Sequence, residues 1–326
     1  MKKRNKIFLT TRMWLPAAFL FLLSACNKDD DGGTNEQKSN TITDLVVNAD
    51  DLTTLESAVI KAGLQTTLSG PGPFTVFAPN DAGFTASGIT SATLSSLTAD
   101  QVKNILLYHT LPSKIISTAV PAGPNAKVTT ASGDSVFVTR NASGVYVNGI
   151  KVIQADIEAT NGTVHKIGRV LIPPAGTIVQ TAQAPGSGLD SLVKALVRAN
   201  NGPGGDPNLL TTLGSGTLTV FAPTNAAFTQ LLTVLGTNDI NNIPVATLLA
   251  VLRYHVVGGR AFSSDLANGN LTMLAGGNST INLTNGTGGG PSITGNGNSG
   301  NKSNIVGTNL VARNGVVHLI DRVLLP

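Results

Sequence analysis

Four histidines, His109, His165, His255 and His318, are the side chains of this 326-residue chain best suited to acid–base or metal chemistry, and they fall into two matched sets. An imidazole titrates near neutral pH and ligates transition metals, so one pair in each half could form a metal centre or a proton-transfer pair. The local spacing argues against both. No histidine has a second histidine or cysteine two to four residues away, and the only cysteine, Cys26, lies far upstream. In the strand-like run Thr163 to Leu171, His165 alternates with Lys166; with Lys166 in solvent, His165 and Ile167 point inward, and a hydrogen-bonded core histidine is the better reading. His109 and His255 end helix-like segments, where an imidazole can cap free carbonyls. No catalytic residue, metal or cofactor is expected, and the chain reads as a non-enzyme.

The histidines belong to a longer pattern that occurs twice. Val76-Phe77-Ala78-Pro79-Asn80-Asp81-Ala82-Gly83-Phe84, Tyr108-His109 and Asn161-Gly162-Thr163-Val164-His165 are followed by Val220-Phe221-Ala222-Pro223-Thr224-Asn225-Ala226-Ala227-Phe228, Tyr254-His255 and Asn314-Gly315-Val316-Val317-His318. The offset between copies grows from 137 at Leu52 and Leu189 to 153 at His165 and His318, in steps that fall between blocks. Core elements are kept and joining loops take insertions, so each copy is a domain, spanning residues 41–173 and 177–326.

The elements that carry the pattern are legible in the first copy. Asp50 or Asp51 can cap a helix bearing Leu52, Leu55, Ala58 and Val59, ended by Gly63. Phe74 to Ala78 has strand propensity, and Pro79-Asn80-Asp81 opens a short helix that buries Phe84. Thr98 and Gln101 have capping-box spacing ahead of a helix that delivers Tyr108-His109. From Val128 onward the signal is alternation, with strands expected at 128–130, 135–139, 145–147, 150–154 and 163–171. Asn148-Gly149 and Asn161-Gly162 mark tight turns, because both residue types tolerate positive φ. Helices first and a meander after give an α+β domain. Pro173-Pro174-Ala175-Gly176 is a short, stiff junction that keeps the copies close. The second copy departs mainly at two loops, Asn200 to Pro207 and Asn285 to Asn304, where copy-specific recognition would sit if they are more than surface drift.

Taken together, the Val-Phe-Ala-Pro block, the Tyr-His pair and the Asn-Gly-x-Val-His block resemble the fasciclin-type FAS1 domain, twice over. The resemblance implies tandem wedge-shaped β-sandwiches with helices packed around them, and extracellular adhesion rather than catalysis. In animal relatives the Tyr-His region and an Asp-Ile pair before the last strand are implicated in integrin binding. The matching residues here are Tyr108, His109, Asp156, Ile157, Tyr254 and His255; Asn309-Leu310 replaces the Asp-Ile pair in the second copy. The bland alternative is that Asp156 caps a turn and Ile157 fills the core.

The basic balance says nothing in favour of nucleic acid, and no such partner is expected. Of the formal net charge of +4, Lys2, Lys3, Arg4, Lys6 and Arg12 all precede Cys26; without them, 17 basic side chains face 18 acidic ones. The basic stretch, the short apolar run Met13 to Leu23 and Leu23-Ser24-Ala25-Cys26 look like a lipoprotein signal peptide over residues 1–25, with Cys26 lipidated. Residues 26–40 read as a flexible tether. Asn27 lacks the acidic inner-membrane retention signal, and Lys28-Asp29-Asp30-Asp31 resembles a surface-export signal or else is a solvated charge run, so an outer-membrane lipoprotein is expected, at the cell surface or, as the alternative, on the periplasmic face.

Two apparent phosphate motifs carry nothing. Gly295-Asn296-Gly297-Asn298-Ser299-Gly300 has no strand before it and no helix after it, and Asn301 separates Gly300 from Lys302. The expected function is adhesion or matrix binding through multivalent weak contacts to an extracellular protein or polysaccharide. A glycan-binding accessory lipoprotein of a nutrient-uptake system and a structural envelope scaffold are the alternatives.

Overall fold

The computed structural model describes residues 40–326. The expected signal peptide, Cys26 and the expected tether up to residue 39 lie outside the described residues. The first half runs α1 (Ile42–Val47), α2 (Thr53–Lys61), α3 (Gln65–Ser69), β1 (Phe74–Pro79), α4 (Asp81–Ala86), α5 (Ser91–Ser96), α6 (Ala99–Tyr108), β2 (Thr110–Leu111), β3 (Gly123–Thr129), β4 (Ser135–Asn141), β5 (Gly144–Val147), β6 (Ile150–Ala159) and β7 (Gly162–Ile167). The second half repeats it with α7 (Ile178–Gln183), α8 (Asp190–Asn201), α9 (Leu209–Ser215), β8 (Leu218–Pro223), α10 (Asn225–Val234), α11 (Val245–Arg253), β9 (Val256–Gly258), β10 (Gly269–Thr272), β11 (Asn278–Asn282), β12 (Ser292–Gly295), β13 (Ser303–Ala312) and β14 (Gly315–Ile320).

Each half builds one seven-stranded sheet, ordered β2-β1-β7-β6-β5-β4-β3 and β10-β11-β12-β13-β14-β8-β9. The Val-Phe-Ala-Pro strand lies parallel to the Val-His strand in both, Phe77 opposite His165 and Phe221 opposite His318. Covered on both faces, β8 is buried along its whole length, as a parallel pair requires. Its two faces serve two cores. In the first half Val76 and Val164 pack under the helices with Leu55, Val59, Val102 and Leu106. Phe77 and Ile167 face the other way, onto Val136, Val138 and Val147 of the β4–β5 arm. Helices, sheet and folded-over arm make each half the α+β domain that the order of elements implied.

Register shifts in β6 and β13 break the ladder between Val152 and Ile157 and between Ile305 and Leu310. These bulges bend the sheet, and they explain why β6 continues to Ala159 although the alternation ends at Gln154.

The repeated motifs act differently from their local reading at three places. First, neither Asp50 nor Asp51 caps α2. Asp81 does so from across the fold, accepting Thr54 N–H and the Thr53 hydroxyl, each at 2.8 Å, while Asp51 pairs with Lys166 at 2.6 Å. Asn225 repeats this on α8, accepting Ser191 N–H at 2.9 Å. The residue before it caps its own helix: Asn80 accepts Gly83 N–H at 2.8 Å and Thr224 accepts Ala227 N–H at 3.3 Å.

Second, Asn148 and Gly149 do adopt positive φ, 48° and 72°, whereas Asn161 and Gly162 do not. Asn161 is a clamp: its Oδ1 accepts Ile42 N–H at 3.0 Å, and its Nδ2 donates to Leu68 and Gly70 carbonyls at 2.8 Å. Asn314 does the same for Ile178, Leu213 and Gly216. Gly162 lets β1 approach, since a Cβ there would sit 2.2 Å from the Phe74 oxygen.

Third, residues 285–304 are not one long loop but contain β12 and the start of β13. The glycines of the G-x-G-x-x-G string make room for backbone: a Cβ on Gly295 or Gly297 would meet the oxygens of Leu325 or Pro326 at 2.5 Å.

Candidate functional site

The histidines are closed into backbone hydrogen bonds. At the end of α6, His109 Nδ1 donates to Ile105 O at 2.8 Å and Nε2 accepts Leu171 N–H at 2.9 Å. His255 repeats this with Val251 O at 2.7 Å and Leu324 N–H at 2.9 Å. An amide can only donate, so Nε2 carries no proton, and the ring is the neutral Nδ1–H tautomer. Burial pushes both imidazoles down to about 4, outweighing the carbonyl bond that favours the charged form. At neutral pH neither has a proton to give or a lone pair to offer.

His165 and His318 take the opposite tautomer. Nε2 of each donates to a loop carbonyl, Ile115 O at 2.8 Å and Ala261 O at 2.9 Å. His165 Nδ1 accepts Asp156 N–H at 3.1 Å. Each ring lies against the phenylalanine opposite it, 5.7 Å from Phe77 and 5.4 Å from Phe221. His318 Nδ1 is buried without a partner, and burial lowers this histidine's pKa against the opposing Ala261 bond and the Asp265 charge. Among the described residues no group of three or more histidine, cysteine, aspartate or glutamate side chains is placed to hold a metal ion.

The tyrosines of the Tyr-His pairs are equally interior. Tyr108 is fully buried, donates to Ser135 O at 3.1 Å and accepts Asn148 Nδ2 at 3.0 Å. Burial pushes its phenol up to about 12, against the lowering effect of the Asn148 bond. Tyr254 donates to Asn278 O and accepts Asn296 N–H at 3.2 Å. Tyr108, His109, Tyr254 and His255 thus sit inside the two cores and do not reach a common surface.

Of the residues matched to ligand contact, Asp156 alone is exposed, and Ile157 is half-buried against the helix-side core. Asp156 stands in the β6 bulge with φ 59°, binding Ser117 N–H at 2.8 Å and the Ser117 hydroxyl. Burial raises its carboxyl pKa, but the Ser117 bonds outweigh that and hold it below the usual range. Asn309, at φ 64°, likewise accepts Ser263 N–H at 2.8 Å, but its Nδ2 donates to the Ser263 hydroxyl oxygen at 2.8 Å. The turn-capping role is therefore present whether or not a ligand ever meets this carboxylate.

Sequence reasoning missed the contact between the domains. Arg260 donates to the carbonyls of Ala312, Gly315 and Arg313, and its guanidinium carbon stands 4.0 Å above the Phe137 ring of the first domain. Phe137 also meets Phe262 at 6.0 Å between centroids. Asn125 donates to Arg260 O at 2.7 Å and Asp265 at 3.0 Å, and Arg313 lies 3.6 Å from Asp134. Burial lowers Arg260 to about 10, partly offset by Tyr108, which leaves it cationic at neutral pH. The signal was difference: Arg260, Phe262 and Phe137 align with Lys114, Ile116 and Thr280 in the other copy.

Two cavities follow from these arrangements. One, about 300 Å³, lies between the domains, with Arg169, Ile150 and Leu171 on one side and Thr308 to Val311 on the other. A larger one, about 540 Å³, belongs to the second domain. There the inserted loop brings Asp206 to Arg253 at 2.6 Å, over a floor that includes Leu209, Leu213 and Val256.

A family model described as Fasciclin domain matches residues 50–173 and 204–326. The chain is similar to protein sll1483 of Synechocystis sp., 36% identical over 136 residues that span 41% of this chain and 74% of that one. It is also similar to human periostin, 26% identical over 245 residues, which cover 74% of this chain but only 27% of periostin. A solved FAS1 domain pair from the insect cell adhesion molecule fasciclin I aligns over 85% of this chain and 97% of its own, with TM-score 0.40 and 18% identity.

Proposed function

Because this chain belongs to the fasciclin domain family and carries two such domains in tandem, we propose that it is a non-catalytic binding protein, an adhesion or matrix-binding module held at the outer membrane by a lipid on Cys26 and facing outward. One observation carries this reading: the repeated histidines, the residues best equipped for chemistry, hold backbone groups together in the core. Ligand contact then falls to the outer surface, where loops and exposed strands, Asp156 among them, offer shallow footholds. The Arg260 contacts fix the two domains side by side, so one molecule displays both surfaces at once. Many anchored copies would multiply such weak affinities. The expected partner is an extracellular protein or polysaccharide.

The test is density. The chain is coupled to beads over a range of surface densities, and retention on immobilised matrix protein or polysaccharide is measured. Retention should climb more steeply than coupling density. A strictly proportional rise, or tight binding by the free chain, would sink the multivalent reading.

A second reading, a glycan-binding accessory lipoprotein, is favoured by the Asp206–Arg253 pair on the rim of the 540 Å³ cavity. A fixed carboxylate and guanidinium suit sugar hydroxyls, and an apolar floor suits the C–H face of the ring. Glycan-array binding abolished by Asp206→Ala would move the assignment to this reading.

A further inference from the structure

The second domain carries, uncovered, the groove that in the first domain receives its neighbour. The first-domain groove is formed by Ser87 beyond α4, Asn148 in the β5–β6 turn, and the segment from Arg169 to Pro173. The β13 bulge, Thr308 to Val311, forms its opposite wall across a cavity of about 300 Å³. The corresponding second-domain positions are Leu231 on α10, Asn298 in the β12–β13 turn, and Arg322, Val323 and Leu325. They line a groove of about 240 Å³ whose lining comes from the second domain alone.

Two features separate this open groove from ordinary surface. The Nε of Arg322 is buried with no hydrogen-bond partner, and no described residue bonds the rest of its guanidinium. A buried N–H on a cation is unfavourable when unpaired, so an acceptor brought in by a partner supplies what solvent cannot. On the same helix end, Val234 is 80% exposed and Leu235, just past it, 53%.

The first-domain groove shows what faces it. Its opposite wall is a bulged strand, and the first domain has an equivalent bulge at Ala155 to Glu158 on β6, where Asp156 and Asn309 share their positive φ and a bond from a serine N–H. Ala155, Asp156 and Glu158 are exposed, and Ile153 beside them is 50% exposed. One side-chain difference matters. Glu158 stands where β13 has Val311, a residue that lines the cleft between the domains together with Arg169. The same docking on the open groove would bring Glu158 to Arg322. Glu158 already pairs with Lys114 at 3.8 Å, but its side chain is 81% exposed and so weak a surface pair is readily exchanged for Arg322.

We infer that the open groove of one copy binds the β6 bulge of a second copy, with Glu158 meeting Arg322. The two surfaces are different patches of the molecule, so the contact does not close on a pair, and copies add head to tail. This goes beyond the adhesion reading and does not depend on it: loss of self-association would leave matrix retention unaltered.

Sedimentation velocity of the purified chain over a concentration series tests it. Wild type should form species beyond the dimer as concentration rises. Arg322→Glu alone and Glu158→Arg alone should each weaken association by at least about tenfold, the scale of one close charge pair. An equimolar mixture of the two variants should recover it, because alternating copies pair every reversed charge with an opposite one. Both side chains reach solvent or a groove, and unchanged melting of the variants confirms the fold; Arg322→Gln and Glu158→Gln serve if a reversal unfolds the chain. A wild type that stays monomeric to about 1 mM, association that stops at a dimer, variants that associate as wild type does, or a mixture that does not recover would each overturn the inference.

Discussion

The backbone amide of Leu171 donates to Nε2 of His109 at 2.9 Å, across 62 residues of sequence. The bond ties the end of α6 to the segment leaving β7, and it exists only while the imidazole is neutral. Its copy, Leu324 to His255, makes the dependence twofold.

Stability should therefore fall with acid. Both pKa values are depressed, from 6.5 in the unfolded chain to about 4 in the fold. The unfolded chain takes up these protons first, so their contribution is complete above pH 6.5 and is lost as pH falls toward about 4. The loss is on the order of 3 kcal/mol per histidine. Urea midpoints measured between pH 7 and 4 should show it, and His109→Gln with His255→Gln should flatten the profile.

Gly162→Ala should be far costlier than Gly63→Ala. The first places a methyl group 2.2 Å from the Phe74 oxygen and must push β1 from β7, a loss of about 3 kcal/mol. The second meets open space at φ 64°, where only left-handed strain opposes it, about 1 kcal/mol. Denaturation midpoints of the two variants give the comparison; equal losses would contradict the close-approach role.

Asp81→Ala should cost about 1 kcal/mol by uncapping α2, whereas Asp81→Asn should be nearly neutral. Asn225 already fills this role on α8. The check is thermal unfolding of both variants side by side, and a damaging Asp81→Asn would show that charge, not geometry, holds the cap.

Arg260→Ala should loosen the domain pair while leaving each domain folded. It removes the stack on Phe137, worth about 1 kcal/mol across the domain boundary, and the three bonds to carbonyls of its own domain that hold the guanidinium in place for it. Arg260→Lys should recover little, because an ammonium lacks the planar fork. Small-angle scattering should report a larger radius of gyration for both, with unchanged circular dichroism.

Much of the architecture was present in local signals. Thr98 and Gln101 announced α6 and do form its capping box. Asn148-Gly149 announced a hairpin and takes the positive φ that such a turn needs. The alternation of His165 with Lys166 put the histidine inside, where it is found. Duplication of the motifs established that two like modules follow one another.

The remainder is decided at long range. The α2 cap comes from 27 residues away, and the Asn125–Asp265 bond that joins the domains spans 140. Residue type and periodicity inform a segment about neighbours within a turn or a strand pair, because only those are fixed by local backbone geometry. Which carbonyl meets which imidazole nitrogen, and hence the tautomer of each histidine, follows from how distant elements pack. The sequence determined that the module occurs twice and where its reactive side chains lie; tertiary packing decided that those side chains fasten the fold and that the second groove stays open.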